Sequence, residues 1–133
     1  MPRPRPLYAV LLGSALVVAP LAVAATPATA ATTSVALVGS LQDELGCPED
    51  WQPACPDTEL ARVGDSSLYQ ATFALPGGSY EFKVALNDSW DVNYGAGGAA
   101  GGPDLTLTVP EGGGSYVFTW DPTTHEPSVE PAG

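Results

Sequence analysis

The sequence predicts an all-β fold, a sandwich of two antiparallel sheets with about seven strands. Short segments in which apolar and polar residues alternate recur through residues 34–129, and this alternation is the period of half-buried strands. Turn-forming residues separate these segments, since the chain contains 15 Gly and 14 Pro. Within residues 31–133 no stretch shows the periodicity of an amphipathic helix. Short strands at this spacing are typical of a β-sandwich.

The first 30 residues have the features of a secretory signal peptide. Arg3 and Arg5 precede an uncharged apolar run at residues 7–23, and the small residues 28–30 offer a cleavage site. The apolar run is at the lower limit for a membrane span, so an uncleaved anchor is the alternative. We therefore expect residues 1–30 to be removed and residues 31–133 to form a single secreted domain.

Seven strands are predicted in order along the mature chain, at residues 34–38, 58–63, 68–75, 79–86, 105–109, 115–120 and 125–129. Residues 76–78, Pro-Gly-Gly, predict a hairpin between the third and fourth strands, and residues 111–114 predict another between the fifth and sixth. Pro127 predicts that the last strand lies at a sheet edge, because proline has no N–H to donate a hydrogen bond to a neighbouring strand. Residues 94–103 are glycine-rich, but a strand follows them, so they predict a surface loop rather than a phosphate-binding loop.

Two cysteines, Cys47 and Cys55, follow the first strand. An even count in a secreted domain predicts a disulfide between them, worth about 2 to 3 kcal/mol for a loop of this size. The bridge would fix the orientation of Trp51, which lies at the middle of the loop. The two cysteines and the distant His125 do not form the ligand set of a zinc site, so no metal or other cofactor is expected.

The fourth strand ends in a polar and aromatic loop. Its apolar residues alternate with Glu81, Lys83 and Ala85, so Lys83 is predicted to point away from the core. Asn87 begins a turn, and Trp90 and Tyr94 follow in a stretch too short and polar to bury both rings fully.

This pattern of residues suits a sugar. A pyranose ring offers an apolar face for stacking on Trp90 and Tyr94, and its hydroxyls suit hydrogen bonds to Lys83 and Asn87. The structural alternative is that Trp90 closes one end of the sandwich. For Trp120, which alternates with other aromatic residues in the sixth strand, core burial is expected.

Charge excludes two classes of partner. After removal of residues 1–30, only Arg62 and Lys83 remain against 15 acidic residues, a net charge of −13. Nucleic acid and anionic membranes would be repelled by such a surface. The acidity otherwise favours solubility outside the cell.

Two segments carry a resemblance to a known family. They are V-A-L-V-G-S-L-Q-D-E-L-G-C-P-E-D-W-Q-P-A-C and F-A-L-P-G-G-S-Y-E-F-K-V-A-L-N-D-S-W-D-V-N-Y-G. In this order they resemble the X25 modules appended to bacterial pullulanases and related starch-degrading enzymes. The resemblance implies an immunoglobulin-like β-sandwich similar to starch- and glycogen-binding domains, in which a strand lysine is followed seven residues later by a tryptophan. Lys83 and Trp90 match that pair, and Trp51 is the candidate for a second, upstream tryptophan.

The residues and the resemblance together predict a secreted, non-catalytic carbohydrate-binding module for α-glucan, such as starch, pullulan or a maltooligosaccharide. Asp88 and Asp91 suggest a glycosidase pair as the enzymatic alternative, but the domain is too small to enclose a deep cleft. The other alternative is a secreted protein-binding module, such as an amylase inhibitor or accessory domain, with Trp51 as its anchor. Its partner would be a separate secreted amylase.

Overall fold

In the computed structural model, residues 32 and 34–133 are described, and they form an antiparallel β-sandwich. Its strands are β1 Val35–Gly39, β2 Glu59–Arg62, β3 Tyr69–Leu75, β4 Gly78–Leu86, β5 Asn93–Tyr94, β6 Leu105–Val109, β7 Gly114–Asp121 and β8 Glu126–Pro131. Short 3₁₀ turns occupy Asp43–Leu45, Pro56–Thr58 and Ala96–Gly98. The predicted all-β class is confirmed. The described part holds eight strands where seven were predicted, because the two-residue β5 is too short to show a sequence period.

The strands pair in the order β5-β4-β1-β2-β3-β7-β8, with β6 also paired to β4. Strand β2 joins the two sheets: Glu59 and Leu60 pair with β1, whereas Ala61 and Arg62 pair with β3. One short strand therefore takes part in both sheets, and the sandwich is nearly closed along this side. Strand β8 lies at the end of the order, as its Pro127 predicts.

Both predicted hairpins are wrong. Strand β3 pairs with β2 and β7, and β4 pairs with β1, β5 and β6, so the connection after Leu75 crosses from one sheet to the other. The connection between β6 and β7 crosses back in the same way. Alternation identifies a strand and its buried face, but it does not identify the partner strand.

The glycines of these crossings serve close packing instead. A Cβ on Gly77 would lie 2.7 Å from the carbonyl oxygen of Pro110, and a Cβ on Gly113 would lie 2.7 Å from that of Leu75. The two crossings therefore run side by side at one end of the sandwich, at a distance that only glycine permits.

The core lies between the sheets and is rich in aromatic rings. Along β4, Phe82 and Val84 are fully buried, and Phe82 meets Phe118 of β7 edge to face with ring centroids 5.2 Å apart. Trp120 is 2% exposed, which confirms its predicted burial. A buried side chain of this kind contributes about 1.5 to 3 kcal/mol to folding.

The outer side of the sheet is also partly buried. Ala36 and Val38 of β1 and Ala85 of β4 form a second, small apolar cluster, although the register places them on the face opposite the core. Strand β1 is consequently buried on both faces, and its five residues are all apolar or glycine.

The predicted signal peptide, residues 1–30, lies outside the described residues. In the part of the chain that is described, no helix has the length and apolar character needed to cross a membrane.

A substitution at Gly39 tests the close approach of β1 to β4. A Cβ at this position would overlap the carbonyl oxygen of Glu81 and lie 2.7 Å from the Cα of Phe82. We expect Gly39→Ala to lower the free energy of unfolding by about 2 to 3 kcal/mol, as overpacking does elsewhere. Urea unfolding followed by tryptophan fluorescence measures this difference.

Gly114→Ala is the matched control, because Gly114 also lies in a strand and its Cβ would meet only the Tyr116 ring, at 3.3 Å. It should cost less than about 1 kcal/mol, since a ring gives way more easily than backbone. Equal stability of the two variants would contradict the steric account of Gly39.

Candidate functional site

Two tryptophans from separate loops meet at the surface. Trp51 comes from the disulfide loop, residues 47–55, and Trp90 comes from the tryptophan loop, residues 87–92, which follows β4. Their ring centroids are 6.4 Å apart and the ring planes are inclined by 33°. Trp90 is 40% exposed and Trp51 is half-buried, so the pair presents apolar ring surface to solvent.

The disulfide loop holds Trp51 in an unusual backbone conformation. Cys47 and Cys55 are bonded, with Cα atoms 6.0 Å apart, which confirms the predicted bridge. Trp51 has a φ of 59°, in the left-handed region that bulky residues rarely adopt, and its N–H donates to the carbonyl oxygen of Gly39 at 3.3 Å. Asp57 lies beside the bridge, but disulfide sulfurs are not thiolates, so this cluster is not a metal site.

The fully buried Gln42 connects the disulfide loop to the sheet. Its Oε1 accepts hydrogen bonds from the N–H of Gly39 at 3.2 Å and from the N–H of Gln52 at 2.7 Å. Its Nε2 donates to the Gln52 carbonyl oxygen at 2.8 Å and to Thr58 Oγ1 at 3.1 Å. The Thr58 hydroxyl donates in turn to the carbonyl oxygen of Leu37 at 2.7 Å. One carboxamide therefore fixes the residue next to Trp51 relative to β1. Gln42 is not among the site residues predicted from the sequence, since nothing in its sequence neighbours marks it as buried.

The tryptophan loop is fixed by local hydrogen bonds. Asn87 and Asp88 both have a φ near +60°, which asparagine and aspartate tolerate better than most residues. Asn87 binds the start of β1, because its N–H donates to the Ser34 carbonyl oxygen and its Oδ1 accepts from the Ser34 N–H. At the other end of the loop, Asn93 Nδ2 donates to the carbonyl oxygen of Trp90 at 2.9 Å. Asn93 is likewise not among the site residues predicted from the sequence.

Lys83 lies on the outer face of β4, opposite Val38 of β1, and is half-buried. Within the described residues its Nζ forms no hydrogen bond and no ion pair. Arg62, by contrast, donates to the Ser66 carbonyl oxygen at 2.9 Å. Along β4, Lys83 lies between Phe82, which pairs with Gly39, and Ala85, which pairs with Asn93. Gly39 accepts a hydrogen bond from the Trp51 backbone, and Asn93 donates one to the Trp90 carbonyl oxygen. The structure therefore places Lys83 between the two anchoring points of the tryptophans.

Tyr94 lies on the other side of the sheet. It pairs with the inward-facing Val84, and its ring stacks on His125 at 4.5 Å and on Trp120 at 5.6 Å. His125 reaches this position from the turn between β7 and β8. At the start of that turn, a hydrogen bond from the Thr123 hydroxyl holds the pKa of the Asp121 carboxyl below its ordinary value. Of the predicted site residues, the structure brings together Trp51 and Trp90 and leaves the Tyr94 ring with the core.

Comparison with known proteins identifies the fold family. The family model of the pullulanase X25 domain matches residues 34–127, which include both tryptophans and Lys83. The chain belongs to the pullulanase X25 domain family. The X25 domain is an accessory module of starch-degrading enzymes and is not their catalytic part.

The relatives of this X25 domain are much longer proteins. An amylopullulanase from Thermoanaerobacter thermohydrosulfuricus is 36% identical over 89 residues, which are 67% of this chain and 6% of that protein. An amylopullulanase from Thermoanaerobacterium thermosulfurigenes is 33% identical over the same length, which is 5% of that protein. The solved pullulanase from Bacillus acidopullulyticus superposes with a TM-score of 0.64 at 38% identity, over 72% of this chain and 11% of the pullulanase.

Replacement of Gln42 tests its role in this X25 domain. Gln42→Ala would leave the buried N–H group of Gly39 and the partly buried N–H group of Gln52 without their acceptor, and each unpaired buried group costs about 1 to 3 kcal/mol. We expect the free energy of unfolding to fall by about 3 kcal/mol, measured by urea titration. Gln70→Ala is the control, because it removes one half-buried hydrogen bond to Thr119 and should cost about 1 kcal/mol or less. A Gln42→Ala protein no less stable than the control would rule out this role.

Proposed function

We propose that this X25 domain is a secreted, non-catalytic carbohydrate-binding module that binds α-glucan. The observation that carries the proposal is the surface pair of Trp51 and Trp90, with ring centroids 6.4 Å apart and planes inclined by 33°. Both rings stand on loops that hydrogen bonds tie to β1 and β4, so the pair is in place before a ligand arrives. Preorganised aromatic side chains bind with little loss of conformational entropy.

The inclination of the two rings suits a curved ligand. An α-1,4-glucan chain winds as a left-handed helix, so successive sugar rings present their apolar faces at an angle to each other. A flat chain would favour coplanar rings instead. Each stacked sugar contributes roughly 1 kcal/mol beyond the area that it buries. Two such contacts predict dissociation constants in about the micromolar to millimolar range.

Polar residues around the pair have different roles in this proposal. Lys83, whose ammonium group has no partner among the described residues, donates to sugar hydroxyls. Asn87 holds the tryptophan loop to Ser34 and contributes to binding through loop geometry. Asn93 supports Trp90, and its buried Oδ1 has no hydrogen-bond partner among the described atoms. Tyr94 contributes to binding only by supporting the fold, since its ring stacks on the buried Trp120.

The acidic residues of the tryptophan loop do not support catalysis. Asp88 and Asp91 are exposed, and Asp88 accepts a hydrogen bond from the Ser34 hydroxyl at 3.2 Å. A glycosidase places two carboxyl groups on either side of the scissile bond of an enclosed substrate, and two exposed carboxylates on one surface loop do not form such a site.

The relatives support a role beside a catalytic domain. In the amylopullulanases the matched segment is a small fraction of a long enzyme. A module that holds α-glucan near such an enzyme raises the local substrate concentration without new chemistry. We therefore propose a secreted location and a starch-degrading enzyme, such as a separate secreted amylase, as the functional neighbour.

Removal of the Trp90 ring tests the glucan site. We expect Trp90→Ala to weaken β-cyclodextrin binding roughly tenfold or more, because it removes both the stacking surface and the apolar cover of neighbouring hydrogen bonds. Lys83→Ala should weaken it less, since an exposed ammonium exchanges water for sugar hydroxyls. Isothermal titration calorimetry measures both effects.

Val63→Ala is the control for exposed apolar surface, because Val63 is 41% exposed and lies in the connection between β2 and β3. Its affinity should equal that of the parent, and circular dichroism must show all variants folded. If folded Trp90→Ala binds as well as the parent, the tryptophan pair is not the binding site. Retention on immobilised amylase but not on insoluble starch would favour the protein-binding alternative.

The proposal also predicts that the domain has no hydrolase activity. Pure protein should release no reducing sugar from starch, pullulan or maltooligosaccharides above the level of a heat-denatured sample. Reducing-sugar release that disappears in Asp88→Asn or Asp91→Asn would identify an enzyme instead. The Glu130→Gln variant, which changes an exposed carboxylate on β8, controls for charge.

A further inference from the structure

A groove lies on the outer face of the same sheet that carries Lys83. It has a volume of about 390 Å³, within the roughly 300 to 1,000 Å³ of ligand clefts in general. Tyr80 and Leu107 line part of it, and the rest of its lining carries hydroxyl or carboxylate groups, from Ser40, Ser79, Glu81, Thr106 and Thr108. These residues come from β4, β6 and the turn after β1.

The strand register shows that the groove continues the face of Lys83. Glu81 precedes Lys83 by two residues on β4 and therefore lies on the same outer face, about 7 Å away along the strand. Across the ladder, Glu81 pairs with Thr106, and Ser79 pairs with Thr108. The groove thus extends from Glu81, the next outward-facing residue of β4 before Lys83, toward the beginning of β4 and the end of β6.

One groove residue, Ser40, lies next in sequence to the residue that binds the Trp51 backbone. Ser40 follows Gly39, whose carbonyl oxygen accepts the hydrogen bond from the Trp51 N–H. Ser40 is fixed at this point, since its N–H donates to the Glu81 carbonyl oxygen and its Oγ accepts from the Glu81 N–H, both at 2.9 Å. A chain that leaves the tryptophan pair on this side meets Ser40 and Glu81 first.

The groove side chains are available to a ligand. Within the described residues, the side chains of Glu81, Thr106 and Thr108 form no hydrogen bond, and Glu81 forms no ion pair with Lys83, although both lie on one face. The groove offers hydroxyls, which both donate and accept, and one carboxylate, which accepts. This combination complements the hydroxyls of a neutral sugar.

We propose that this groove is a second subsite for α-glucan, which binds the sugar units next to those stacked on Trp51 and Trp90. The inference rests on the proposed glucan-binding function and extends it to longer linear chains. The tryptophan pair provides stacking. In the groove, the Glu81 carboxylate accepts hydrogen bonds from the hydroxyls of the units that follow, and the Thr108 hydroxyl donates to them or accepts from them. A linear chain reaches both subsites, whereas a cyclodextrin ring closes on itself and engages the tryptophans alone.

The test compares two ligands and two double variants by isothermal titration calorimetry. Glu81→Ala/Thr108→Ala removes the groove contacts, and both residues are exposed, so folding is retained. Thr72→Ala/Glu130→Ala makes the same exchange at exposed positions of β3 and β8 in the other sheet. Maltoheptaose is the linear ligand, and β-cyclodextrin is the cyclic ligand.

We expect the groove variant to bind maltoheptaose about fivefold more weakly than the parent, the effect of about one net hydrogen bond. Its affinity for β-cyclodextrin should be unchanged, and the control variant should match the parent on both ligands. A longer linear chain can bind in more registers, which raises its apparent affinity. This advantage is the same for the parent and the variants, so it cancels when they are compared on one ligand.

Other outcomes contradict the proposal in distinct ways. Unchanged maltoheptaose affinity in the groove variant would overturn the second subsite and leave the tryptophan site standing. An equal loss on β-cyclodextrin would show that the groove residues act on the tryptophan site itself, which also overturns the proposal. If the parent binds neither ligand, the glucan-binding function fails, and the second subsite fails with it.

Discussion

The buried carboxamide of Gln42 holds the end of β1, the disulfide loop and the chain before β2 in one arrangement. Its four hydrogen bonds reach Gly39, both backbone groups of Gln52, and Thr58. The bonds are 2.7 to 3.2 Å long and are made by a fully buried side chain, whose polar atoms would be costly to leave unpaired. The disulfide limits how far the loop can open, but the carboxamide determines where the loop lies relative to the sheet.

The surface aromatic pair is a consequence of that arrangement. Trp51 and Trp90 are 39 positions apart in the sequence and lie in loops that follow different strands. They meet because β1 and β4 are antiparallel neighbours, because Gln42 fixes the residue after Trp51, and because Asn93 holds the Trp90 carbonyl. A site built from two loops on paired strands is more rigid than one built on a single loop, which suits weak ligands that cannot offset a large loss of entropy.

The charge of the domain is compatible with a neutral ligand. Fifteen acidic residues would repel anionic partners, but a glucan carries no charge and binds through stacking and hydrogen bonds. Against this acidic background, Lys83 is the cation whose ammonium group has no partner within the described residues. It lies on the same outer face of β4 as Glu81, which lines the groove, so the face offers donors and acceptors side by side.

The sequence by itself determined seven of the eight strands, the disulfide and the buried face of β4. The positions of these strands follow from alternation, which reports burial directly, and two cysteines in one domain have a single internal pairing. It also indicated Lys83, Trp90 and Trp51 through family motifs. Only the tertiary structure decided which strands pair. As a result, the connections after β3 and β6 cross between the sheets and are not hairpins. It also decided that Tyr94 faces the core and that Gln42 and Asn93 support the tryptophans. These contacts could not be predicted, because no local sequence pattern indicates them.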